Sequence, residues 1–180
     1  MRVKFILLVL MTACISACAW PDAARNPAPE PGQTDEVTSI LMQTLPDVDQ
    51  TQGERISRIS ATFLGTPYEA DTLIGSPTRP EALVINFNGV DCYTLLDYVQ
   101  ALSRSHDRAS FEANLIQTRY AGGEVSYRNR RHFFSDWFAD SPRNADDVTR
   151  TLSPDTVTVV KHLNRQASGA EQVPGLGVIA

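Results

Sequence analysis

The spacing of apolar residues predicts one mixed domain of helices and short strands, set behind an N-terminal leader and a tether. Three observations carry this. Apolar residues recur at helical spacing in two blocks, 35–64 and 91–119. Two short β-branched runs, ALVINF at 82–87 and VTVVK at 157–161, have the length and composition of strands. An Asn88-Gly89 pair stands between a strand-like run and a helix-like run, where the chain has to turn. With 180 residues and 42% hydrophobic content, the chain suits one core.

The leader comes first. MRVKFILLVLMTACISA has Arg2 and Lys4 at its start and an apolar run after them. A run this short does not span a bilayer, which takes about 20 apolar residues. It fits an export signal covering residues 1–17. Ile15-Ser16-Ala17 before Cys18 resembles a bacterial lipoprotein box, in which the cysteine thiol takes the lipid. An ordinary signal peptide with a chance cysteine is the alternative. Cys14 follows Met11-Thr12-Ala13, a poorer match. Ala19, not aspartate, follows Cys18; by resemblance to enterobacterial sorting rules this favours an outer-membrane lipoprotein facing the periplasm. Residues 18–34, rich in Pro and Ala, read as a flexible tether from that anchor, and 35–180 as the domain.

Within the domain, 35–45 predicts a helix with Val37, Ile40, Leu41 and Leu45 on one face. Residues 50–64 repeat the pattern through Ile56, Ile59 and Phe63, until Gly65-Thr66-Pro67 stops it. Residues 68–80 read as loop. The run 82–87 predicts a buried strand. Asp91 is a good N-cap for a helix whose buried stripe is Leu95, Leu96, Val99 and Leu102. A further helix is expected near 110–119. Residues 124–137 suggest paired β structure, and 157–161 a second strand.

Cys92 opens the predicted helix. The first helical position lies beside unsatisfied backbone N–H groups, whose partial positive charge favours a thiolate. A lone half-buried cysteine is more often a packing residue, and spacing alone leaves both readings open. Cysteine arithmetic narrows the choice. Of three cysteines, Cys14 leaves with the signal and Cys18 carries lipid, so Cys92 has no disulfide partner.

LGTPYEADTLIG, PEALVINFNGVDCYTLLDYVQAL, TRYAGG and RNRRHFFSDWF, in that order, resemble the N-acetylmuramoyl-L-alanine amidase-like family, a branch of the NlpC-type papain-like cell-wall hydrolases. The resemblance runs from about Ile56 to Gly175. It implies a papain-like α+β fold with N-terminal helices and a nucleophile-bearing helix packed on an antiparallel sheet. It also implies cleavage of an amide in peptidoglycan or muropeptides. Cys92 matches the family's nucleophile, Asp91 and Thr94 its flanks, and Tyr68 the tyrosine of a Gly-x-Pro-Tyr element near the cleft. Tyr93 stands where the family commonly has threonine, which threatens to crowd that cleft.

One departure is serious. Relatives carry their base histidine on a later strand, in a His-Val-Gly-like element that this sequence lacks. The expectation is a sheet short of its C-terminal strands. A non-catalytic wall-binding lipoprotein, or an incomplete copy, is the alternative to an active enzyme. His106 and His162 read as surface residues. His132 has three readings: cleft lining with Arg130 or Arg131, which would hold a stem-peptide carboxylate; catalytic base; or a member of an aromatic cluster with Phe133, Phe134 and Trp137. No cofactor or metal is implied, because no His or Cys pair has ligand spacing. With a formal charge of −5, nothing in the sequence suggests a general nucleic-acid binder, which would show a basic face.

Overall fold

The computed structural model describes residues 35–45, 49–160, 162, 166 and 168. The expected signal peptide, Cys18 and the tether lie outside them.

Two capped helices begin the described chain. Helix α1, Glu36–Gln43, starts where the Asp35 carboxylate accepts from the Thr38 amide at 3.0 Å. Helix α2, Gln52–Ala61, starts on a reciprocal box: Thr51 Oγ1 accepts from the Glu54 amide, and the Glu54 carboxylate from the Thr51 amide. Val37, Ile40, Leu41, Ile59 and Phe63 are buried as their spacing predicts, whereas Leu45 lies past the end of α1 and is 57% exposed.

The segment read as loop holds the only described strands. β1, Ile74–Ser76, and β2, Arg79–Ala82, form an antiparallel hairpin with Ile74 opposite Ala82 and Ser76 opposite Arg79. Its turn is closed by side chains: Ser76 Oγ accepts from the amides of Thr78 and Arg79. The run expected as a strand, 82–87, enters this ladder only through Ala82. Beyond it, helix side chains replace a neighbouring strand. Tyr98 Oη accepts from the Asn86 amide at 3.0 Å, and Arg119 Nη1 donates to the Val84 carbonyl at 2.8 Å. The apolar run is therefore half-buried without a sheet, with Phe87 in the core, because its polar backbone finds partners on helices.

Helix α3, Cys92–Ser103, and helix α4, Arg108–Arg119, pack against each other, with α2 against α3 and α1 against α4. Phe87 sits at the centre, its ring edge-on to Phe63, Tyr98 and Phe111 at 4.8–5.9 Å. Val99 and Leu102 are buried as expected, but Leu96 is 42% exposed.

Residues 124–137 are not paired strands. Among the described residues they hold one isolated bridge, Arg130 to Tyr120, and then helix α5, Phe134–Ala139. The Asp136 carboxylate decides this by accepting from the amides of His132 and Phe133, which fixes a helix start. Residues 157–160 carry no strand either; α6, Thr149–Leu152, precedes them. The observed class is a helical core with a small antiparallel hairpin, α+β. No described helix is long and apolar enough to cross a membrane.

Candidate active site

Cys92 is the first residue of α3, and its side chain is exposed. Asp91 and Thr94 build the platform beneath it. Asp91 Oδ1 accepts from the amides of Tyr93 and Thr94 at 3.0 and 2.7 Å, and Thr94 Oγ1 accepts from the Asp91 amide at 3.0 Å. Two of the helix-mouth amides are thereby consumed. The amide of Cys92 itself has no acceptor among the described residues.

A second segment is laid beside this mouth. The Glu69 amide donates to the Val90 carbonyl at 3.0 Å, and the Val90 amide to the Pro67 carbonyl at 3.1 Å. Tyr68 therefore runs parallel to Val90, two residues before Cys92, and is 75% exposed. Gly89 permits the approach, since a Cβ there would run into the Glu69 side chain.

The third segment arrives through Tyr93. Its ring stacks on Phe134 at 4.9 Å, meets Trp137 edge-on, and its hydroxyl donates to the Phe133 carbonyl at 2.9 Å. Burial raises this phenol, with Asp97 and Asp136 adding negative charge nearby. The side chain thus packs toward α5, and the crowding of the cleft expected from its size is answered by an anchoring contact.

His132 lies on the segment so anchored. Its Nε2 is 2.9 Å from the Tyr127 carbonyl, which can only accept. Nε2 is therefore the protonated nitrogen, and Nδ1 holds the lone pair. The ring meets Tyr127 edge-on at 4.9 Å and Phe133 at 6.5 Å; of the aromatic cluster expected from sequence it meets Phe133, while Phe134 and Trp137 pack on Tyr93 instead. Burial holds this imidazole below its ordinary range; Arg130 adds to the effect, while the Tyr127 carbonyl and Asp136 oppose it. No hydrogen bond joins His132 to Cys92. His106 is exposed beside Asp107, and His162 is exposed.

Arg131 turns inward. It is 2% exposed, and its terminal nitrogens donate to the Pro142 and Thr118 carbonyls at 2.7 and 3.4 Å. Arg130 forms a two-pronged pair with Glu81, which also accepts from the Tyr120 hydroxyl. Sequence reasoning missed this hub and a second one under α3, the fully buried pair of Asp97 and Arg119 at 2.8 Å. Burial pushes the Asp97 carboxyl up to about 6 against the pull of Arg119. A signal was present: Asp97 shares a helix face with Thr94, Tyr98 and Ala101, all buried, so its charge had to meet a partner. Among the described residues no group of His, Cys, Asp and Glu is arranged to hold a metal ion.

The model of a family described as AmiA-like, N-acetylmuramoyl-L-alanine amidase-like, matches residues 58–180. The chain belongs to the N-acetylmuramoyl-L-alanine amidase-like family. The match takes in Tyr68, the hairpin, α3 with Cys92, and the His132 segment. This amidase-like chain is similar to an N-acetylmuramoyl-L-alanine amidase from Bacteroides uniformis ATCC 8492, in crystal structures at 1.15 and 1.07 Å resolution. Identity is 34% and the TM-score 0.51 in both cases, over 64% of this chain and 49% and 48% of the other. The amidase-like chain thus spans about half the length of that enzyme. No curated protein matches it.

Proposed function

We propose that the chain is a cysteine amidase of the bacterial envelope with a papain-like, NlpC-type site, acting on peptidoglycan or its muropeptides. The observation that carries this reading is the position of Cys92: exposed, at the mouth of a doubly capped helix, inside the segment matched by the amidase-like family. Cys92 Sγ attacks the amide carbonyl, and the Cys92 amide, which Asp91 leaves unclaimed, steadies the oxyanion. The thiol proton passes to Nδ1 of neutral His132 and then to the departing amine. Water hydrolyses the thioester and restores the thiol. Cys92 and His132 make no bond in the free chain, but catalytic contacts commonly tighten only when substrate is bound. Tyr68, beside the helix mouth, flanks the scissile bond. Arg131 supports the His132 segment from within; its buried guanidinium does not favour the direct carboxylate contact expected from sequence. A signal peptide at 1–17, lipid on Cys18 and the tether at 18–34 place the domain on the outer membrane, facing the periplasm.

The test incubates purified muropeptides with the chain and with Cys92→Ala and follows products by mass. Release by the parent and none by the variant is expected; equal release rejects the reading. A second reading is a non-catalytic wall-binding lipoprotein. The engagement of His132 Nε2 by Tyr127 favours it. Muropeptide binding without any product from the parent chain selects it.

A further inference from the structure

Arg119, the buried partner of Asp97, touches three segments at once. Its Nε donates to Asp97 Oδ2 on α3, and its Nη1 to the Val84 carbonyl in the 82–87 run, each at 2.8 Å. Its guanidinium also lies over the Tyr98 ring of α3 at 5.3 Å. Its backbone carbonyl accepts from the Arg131 amide at 2.9 Å. Arg131 immediately precedes His132. Phe133, whose carbonyl accepts from the Tyr93 hydroxyl, immediately follows it. Two ties thus leave α3 from Tyr93 and Asp97, one turn apart on the helix that Cys92 opens, and end on either side of His132. A backbone held at both flanks cannot slide along α3 without breaking one of them.

Stability does not account for the inner tie. Asp97 and Arg119 are fully buried, yet Asp97 Oδ1 and Arg119 Nη2 find no hydrogen-bond partner among the described residues. Burial pushes the Asp97 carboxyl up in spite of the guanidinium beside it. An incompletely satisfied buried pair carries a desolvation cost that an apolar pair of the same volume avoids. What it supplies instead is direction, because a planar guanidinium holds fixed acceptors on two elements at once.

We infer that Asp97 and Arg119 are positioning residues for Cys92 and His132: the pair sets the register of the 131–133 segment against α3. The inference rests on the amidase reading for the reaction it serves, and it adds to that site two buried residues that act only through others.

The experiment uses the full chain in mild detergent and the double variant Asp97→Leu with Arg119→Met, which removes both buried charges. The first readout needs no activity: hydrogen exchange of the peptide that carries the Arg131 amide, followed by mass. About tenfold faster exchange is expected in the double variant. The second is turnover of purified muropeptides. kcat should fall about tenfold or more while KM stays within about twofold, because a misplaced base slows the chemical step and leaves binding alone. Asp97→Asn keeps an acceptor for Arg119 Nε and should bring both readouts to within about threefold of the parent. If the double variant does not fold, Arg119→Lys replaces it; one ammonium cannot serve Asp97 and Val84 together, so both readouts should move the same way. Phe63→Leu, a change against Phe87 that leaves the pair intact, controls for lowered stability and should move neither. Parent-like exchange in the double variant, faster exchange with parent-like kcat, or the same two changes in Phe63→Leu overturns the inference. The parent alone decides the amidase reading. Faster exchange in the double variant with no product from the parent keeps the register and removes the amidase. Product from the parent with parent-like values from the double variant keeps the amidase and removes the positioning pair.

Discussion

The hydroxyl of Tyr93 donates to the carbonyl of Phe133 at 2.9 Å and so ties the residue after Cys92 to the segment that carries His132. Both ends of this bond are set by local structure. Tyr93 is the second residue of α3, and Phe133 immediately precedes α5. The stack on Phe134 fixes the ring, so the hydroxyl has little freedom to point elsewhere.

Tyr93→Phe removes the hydrogen bond and keeps the stack. We expect a loss of about 1 kcal/mol, the usual net worth of such a bond, in urea unfolding. Tyr93→Thr, which restores the residue type common in the family, also forfeits the aromatic contacts and should cost more. Equal stability of both variants and the parent would show that the tie contributes nothing.

Arg119→Met leaves the Asp97 carboxylate buried and unpaired. The expected cost is about 3–5 kcal/mol. Asp97→Leu combined with Arg119→Met should recover much of it, because the double change removes both buried charges. Additive losses in the double variant would mean that the two residues act independently.

Stability should depend on pH through His132. Burial places its folded pKa below the ordinary value of 6.5, so the unfolded chain takes up the proton first. The contribution is complete above that ordinary value and is lost as pH falls through the folded one. His132→Gln should therefore give a flatter curve of urea midpoint against pH on the acid side. The parent and variant share His106 and His162, which cancel in the comparison. Parallel curves would contradict the buried, neutral imidazole.

Thr94→Val keeps the shape of a buried side chain and removes the acceptor for the Asp91 amide. A loss of about 1 kcal/mol is expected from the broken cap. If the platform also positions Cys92, turnover should fall while Cys92→Ala, an exposed change, leaves the unfolding midpoint within about 0.5 kcal/mol of the parent.

The sequence by itself determined helices α1 to α4 in outline and the placement of Cys92 behind its Asp91 cap. Asp91, Asp107 and Asp35 each stand immediately before an apolar periodic run, and capping needs only neighbours a few residues away. The tertiary structure alone decided the fate of 82–87 and 124–137. An apolar β-branched run needs its backbone satisfied, and the sequence does not say whether a strand or the side chains of Tyr98 and Arg119 will do so. The same holds at the candidate site. Whether Tyr93 closes a cleft or anchors α5, and whether Arg131 faces a ligand or Pro142, depends on partners 40 and 11 residues away in the chain. Local periodicity carries no information over such separations; only packing brings those partners together.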